Sequence, residues 1–153
     1  EGFTWLNAIS AQDCYLSYMR KGVTEDDILV VVANFAGTEK EIRTGVPYEG
    51  KYQEIFNTDD KKFAGTGKVN QKIICADDIS WDDKEQSISV KLAPLSLSIL
   101  RFVPYTEKEL EKVIADRIRK RTIIKKQEKK PEATKTVKKS AADAGKRIKG
   151  DKN

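Results

Sequence analysis

Ile28-Leu29-Val30-Val31-Val32-Ala33-Asn34-Phe35 is an unbroken apolar run rich in β-branched side chains. Such a run reads as a strand covered on both faces, and a strand of that kind belongs at the centre of its sheet. On its N-terminal side, Cys14-Tyr15-Leu16-Ser17-Tyr18-Met19-Arg20 has a period of two and ends at the break Lys21-Gly22. On its C-terminal side come Glu41-Ile42-Arg43-Thr44 and Lys51-Tyr52-Gln53-Glu54-Ile55-Phe56, separated by Pro47 and Gly50. Ile73–Ala76, Ser87–Leu92 and Ser96–Phe102 complete the set. Strands spaced roughly 10–15 residues apart, with no helical period between them, predict an antiparallel β-sandwich with Greek-key connections.

Composition places a boundary behind that sandwich. All the aromatic residues fall between Phe3 and Tyr105, and none follows. Lys and Arg number 12 against 16 Asp and Glu over residues 1–105, a net charge of −4, whereas the remainder carries 17 against 8, or +9. The basic character therefore belongs to the tail. Thr106 followed by Glu109 forms a capping box, and Leu110, Val113, Ile114 and Ile118 mark one helical face. The reading is a sandwich over 1–105, a basic amphipathic segment over 106–130 with its helix from about 107 to 126, and a lysine-rich stretch over 131–153. That last stretch has too little apolar surface to offset the entropy of ordering it, and disorder is expected there.

Several function classes are excluded early. Cys14 and Cys75 stand in a chain with no histidine, which leaves no zinc-ligand spacing and no Cys/His catalytic pair; both are read as small hydrophobes. No metal or cofactor is expected. No window approaches the roughly 18 apolar residues of a membrane span, and no secretory leader pattern opens the sequence. The expectation is a cytoplasmic protein without a membrane partner. The sequence opens on Glu1 rather than Met, as a piece of a longer protein would.

Four stretches in order, Glu1-Gly2-Phe3-Thr4-Trp5-Leu6, Leu16-Ser17-Tyr18-Met19-Arg20, Val31-Val32-Ala33-Asn34-Phe35 and Glu54-Ile55-Phe56-Asn57-Thr58-Asp59, resemble the C-terminal β-domain of glycogen (1,4-α-glucan) branching enzymes of the α-amylase superfamily. Phe63-Ala64-Gly65-Thr66-Gly67 with Asn70, and Leu92-Ala93-Pro94-Leu95-Ser96, resemble the family's glycine-rich segment and closing strand. Asp13-Cys14 departs from the family's polar pair, and the tail from 106 has no counterpart in a typical member. The resemblance implies a sandwich of the α-amylase C-terminal type. It also implies a parent transferase that cuts an α-1,4-glucan segment and rejoins it through an α-1,6 bond on a separate (β/α) barrel. The implied partners are that barrel and an α-glucan such as glycogen or amylose.

No catalytic residue is assigned within this chain. Retaining glycosyl chemistry needs two carboxyl groups about 5 Å apart, and in Asp59-Asp60, Asp77-Asp78 and Asp82-Asp83 the neighbours point to opposite faces of extended chain. The candidates for glucan binding or barrel contact are Trp5, Asn57, Thr58, Asp59 and Trp81. Trp5 stands at the expected seam with the barrel, either stacking on a sugar ring or packing the seam. Asn57, Thr58 and Asp59 follow a strand directly and either close a turn or bond to the barrel. Trp81, in an acidic loop, is either a glucan platform or partly buried. Gly65 and Gly67 read as turn glycines with positive φ rather than a phosphate cradle.

Three functions compete. The first is a non-catalytic accessory domain of a branching enzyme, which exposes the apolar surface its barrel would cover. The alternative is a free-standing carbohydrate-binding sandwich with two or more aromatics on one face. A nucleic-acid partner for the lysine-rich tail is disfavoured, since the core is acidic and no aromatic accompanies the lysines.

Overall fold

The computed structural model describes residues 2–8, 12–70 and 73–128. Its strands are β1 (Phe3–Asn7), β2 (Tyr15–Lys21), β3 (Ile28–Asn34), β4 (Lys40–Val46), β5 (Lys51–Asn57), β6 (Ile74–Cys75), β7 (Gln86–Leu92) and β8 (Ser96–Val103), followed by the helix α1 (Glu107–Glu128). The chain divides into two units, Glu1–Lys108 and Glu109–Asn153. The expected disorder over 131–153 lies outside the described residues.

β3 is an interior strand because neither of its faces tolerates water. It sits third in a six-stranded sheet of order β1-β2-β3-β8-β5-β6, while β4 and β7 form a second sheet. Every pairing is antiparallel. The chain crosses to the second sheet after β3, returns at β5, crosses again at β7, and comes back as β8 between β3 and β5. That late return to the middle of the sheet is a Greek-key type of connection.

The two sheets enclose one core. Val30 and Val32 of β3, Ile42 and Val46 of β4, Tyr52 of β5, Ile88 and Val90 of β7 and Leu100 of β8 belong to a single buried cluster. A polar pin crosses it: the hydroxyls of Ser17 on β2 and Thr44 on β4 lie 2.7 Å apart, both fully buried. Asn34, at the end of β3, donates to the carbonyls of Thr38 and Ala93 and accepts from the Ala36 N–H. One buried side chain thereby satisfies three backbone groups in two turns. Burial pushes the Tyr52 phenol well above its ordinary range, and it donates to the Tyr48 carbonyl.

Three sequence expectations change. β1 is a strand that the period-two reading did not identify, since its alternation is blurred by exposed residues at Phe3, Thr4 and Trp5. Phe35, which ends the quoted apolar run, is exposed because β3 stops at Asn34. Cys14 and Cys75, read as small hydrophobes, are both exposed and outside any disulfide. Cys14 sits in a turn with φ 51°, and Cys75 lies in the two-residue strand β6 at the edge of the sheet.

Candidate functional site

The register of the six-stranded sheet aligns one row on the face turned away from the core. Trp5 opposes Tyr18, Tyr18 opposes Val31, Val31 opposes Ile99, and Ile99 opposes Phe56. Successive strands lie ~4.8 Å apart, so the row is a transverse apolar stripe roughly 19 Å long. At its β1 end three rings meet. Phe3 and Trp5 pack edge to face with centroids 5.0 Å apart, and both lie within 6 Å of Tyr18, at 5.2 and 5.9 Å. The Arg20 guanidinium stands 6.0 Å from the Phe3 ring centroid. Trp5 remains 53% exposed and Phe3 43%, although Val31 beneath the same face is only 4% exposed. Aromatic area of this size left in water at a sheet edge is the feature the fold itself does not need.

Asn57, Thr58 and Asp59 lie together at the end of β5, and their polar atoms are engaged within the chain. Asn57 is buried; its amide donates to Glu54 and its carbonyl oxygen accepts from the Asp59 N–H. The Thr58 hydroxyl accepts from the Leu97 N–H. Asp59 organises the loop beyond, accepting from the Thr66 N–H at 3.0 Å, the Thr66 hydroxyl at 2.6 Å and the Lys68 N–H at 2.9 Å. The Thr66 side chain, followed by these backbone donors, holds the Asp59 carboxyl below its ordinary 3.8. Gly67 adopts φ 88°, as a turn glycine should, whereas Gly65 is required for another reason: an added Cβ would stand 2.1 Å from the Asp59 carbonyl oxygen.

Trp81 sits at a separate place, the base of a two-residue hairpin. Trp81 and Lys84 exchange both backbone hydrogen bonds, and Asp82 and Asp83 between them have φ 50° and 57°. Two successive left-handed residues give the turn that matches strand twist. The Asp82 carboxylate anchors the hairpin by accepting from the Gly45 N–H and the Asn7 amide. Trp81 is 44% exposed, and it makes no ring pair with Trp5. The structure therefore joins Asn57, Thr58 and Asp59 into one loop and leaves Trp5 and Trp81 apart from it.

Sequence reasoning missed Glu54, Asn70 and Phe3. Glu54 accepts from Asn57, Ser98 and both the backbone and the side chain of Asn70. Asn70 in turn exchanges a pair of hydrogen bonds with the Lys91 backbone, so a side-chain amide stitches β5 to β7 across the sandwich edge. Only the local Gly-rich resemblance ending at Asn70 hinted at this. Within the acidic pairs, Asp59 and Asp82 are tied to backbone, Asp60 pairs with Lys62, and Asp77 pairs with Arg43. Among the described residues no cluster of His, Cys, Asp or Glu is arranged to hold a metal. No helix there is long and apolar enough to cross a membrane.

Residues 5–103 match the family model of the alpha amylase C-terminal all-beta domain. The chain belongs to that family. The matched span begins within β1 and ends with β8, so it coincides with the sandwich and omits α1. Among the chain's relatives is the 1,4-alpha-glucan branching enzyme GlgB of Geobacillus stearothermophilus, 35% identical over 102 residues, which is 66% of this chain and 16% of that protein. GlgB 2 of Clostridium perfringens (strain SM101 / Type A) is 35% identical over 103 residues, with the same shares covered. GlgB of Rubrobacter xylanophilus is 33% identical over 102 residues, 66% of this chain and 14% of that enzyme. The chain thus spans about one sixth of the length of the first of these relatives.

Proposed function

We propose that this α-amylase C-terminal domain is the non-catalytic accessory domain of a cytoplasmic 1,4-α-glucan branching enzyme, and that it packs on a catalytic (β/α) barrel through the outer face of its six-stranded sheet. The observation that carries the reading is the Phe3–Trp5–Tyr18 cluster, exposed at one end of a continuous apolar stripe. Its geometry favours a protein partner over a sugar. The Phe3 and Trp5 planes stand 88° apart, which presents an edge and a face rather than one flat platform for a glucan chain. The stripe then continues into aliphatic Val31 and Ile99, as the apolar centre of an interdomain contact does.

In this role the domain contributes area and rigidity, not chemistry. A barrel docked here covers Trp5 and Phe3 and gains the transfer free energy of their burial, about 2 kcal/mol for each large side chain. Glucan cleavage and transfer take place on the barrel. The test is to add this chain to the barrel portion of the Geobacillus relative expressed without its matching segment, and to assay branching and heat inactivation. A gain in active, heat-resistant enzyme that Trp5→Ser abolishes supports the reading. Tight amylose binding by this chain alone, with no effect on the barrel, sinks it in favour of an autonomous carbohydrate-binding module.

A further inference from the structure

We propose that the cleft beside the β-bulge of β5 is a binding subsite for one glucosyl residue of an α-1,4-glucan, at the opposite end of the sheet from the aromatic cluster that contacts the barrel. The choice of glucan rests on the branching-enzyme reading; the existence of the cleft does not. Between Glu54 and Phe56 the β5–β8 register slips by one residue, and Ile55 is the extra one. Bulges re-aim side chains and recur beside functional sites. Here the bulge lets Glu54 and Asn57 both turn inward while Ile55 and Phe56 line a cleft of about 240 Å³. Val69 and Ile73 extend this apolar lining, with Ile73 half exposed. Gln53, Asp60 and Lys62 supply a polar rim.

The chemistry of the lining selects the ligand class. The Glu54 carboxylate is already used by Ser98, Asn57 and Asn70, so the cleft does not offer it to a cation. Asp60 and Lys62 form an ion pair at 3.2 Å, which cancels the charge of the rim. What remains is a hollow of net charge −1, in which Ile55, Phe56, Val69 and Ile73 alternate with amide, carboxylate and ammonium groups that can bond to hydroxyls. A pyranose ring has the matching form, one face of C–H bonds and a girdle of hydroxyls. The volume lies below the ~300–1,000 Å³ of pockets for larger ligands, which limits the cleft to a single sugar ring of a longer chain. Phe56 lies at the far end of the apolar row, roughly 19 Å from Trp5 at ~4.8 Å per strand. A partner centred on the aromatic cluster leaves this margin open to a glucan.

The test is to titrate the full chain with maltoheptaose while following backbone amide shifts, with cellopentaose, a β-1,4-glucan, as the comparison. The expected result is weak saturable binding with shifts confined to Gln53, Ile55, Val69, Asn70 and Ile73. The double substitution Gln53→Ala/Lys62→Ala weakens it about tenfold. Both positions are exposed, and an unchanged melting temperature confirms that the variant folds. A second variant, Ile73→Ser, lowers affinity through the floor instead of the rim. Shifts centred on Trp5 or Trp81, equal response to cellopentaose, or no saturable response overturn the proposal. If the chain still restores the barrel in those cases, only this subsite fails and the accessory role stands.

Discussion

The inner and outer faces of the six-stranded sheet come from the same strands and the same period of two, yet they solve different problems. On the inner face, Ile28, Val30 and Val32 of β3 and Leu100 of β8 are at most 1% exposed and meet the second sheet. On the outer face, Val31 is equally apolar and only 4% exposed, but Trp5 and Phe3 at the end of its row stand half in water. The inner face is needed for the chain to fold. The outer face leaves apolar area in water that the inner face does not, and the proposed barrel contact would cover that surplus.

Substitutions sharpen the contrast. The largest effect is expected at Leu100→Ala, which opens a cavity between the sheets and should cost about 3 kcal/mol in a denaturant titration. Asn34→Leu follows, at about 2 kcal/mol, because the carbonyls of Thr38 and Ala93 and the Ala36 N–H lose their buried partner. Trp5→Ser should change the stability of the chain alone by less than ~1 kcal/mol, the range of surface substitutions, while weakening barrel association at least about tenfold, as the loss of an aromatic anchor does. A Trp5 variant that unfolds the chain would erase the distinction between the faces.

The smallest effect is a local response to acid. The Asp59 carboxyl is lowered by its bonds to Thr66 and Lys68, so its contribution is present above the ordinary 3.8 and is lost as pH falls through the lowered value. Protection of the Thr66 and Lys68 amides, relative to their intrinsic exchange rates, should fall on acidification below that point, with protection at Val30 and Val32 unchanged. Simultaneous loss of protection in the loop and the core would show that the loop is part of the global folding unit instead.

Much of the sandwich could be read in advance because strand periodicity is a local property. The run at Ile28 announced a central strand, and the alternation in Ser87–Leu92 and Ser96–Phe102 announced two more, since each depends only on which side chains avoid water. β1 was not legible, because its meaning comes from Tyr18 on another strand. The cysteines were misjudged for a related reason: small apolar character does not reveal whether a residue falls at a turn or a sheet edge. The candidate site divides the same way. Trp5 was singled out from its place in the sequence, but Phe3, Glu54 and Asn70 gained significance only from partners up to 44 residues distant.

The sequence by itself determined the strands after β1, the acidic sandwich and the basic segment behind it, and the kinship with branching enzymes, because periodicity, charge and motif order are written along one dimension. Only the tertiary structure decided which apolar residues form the core and which stay exposed on the outer face of the sheet. It also showed that Asn57, Thr58 and Asp59 are spent on their own loop, and that a bulge opens a cleft beside Ile55. Those outcomes depend on register between strands far apart in the chain, where a shift of one residue exchanges the inside for the outside.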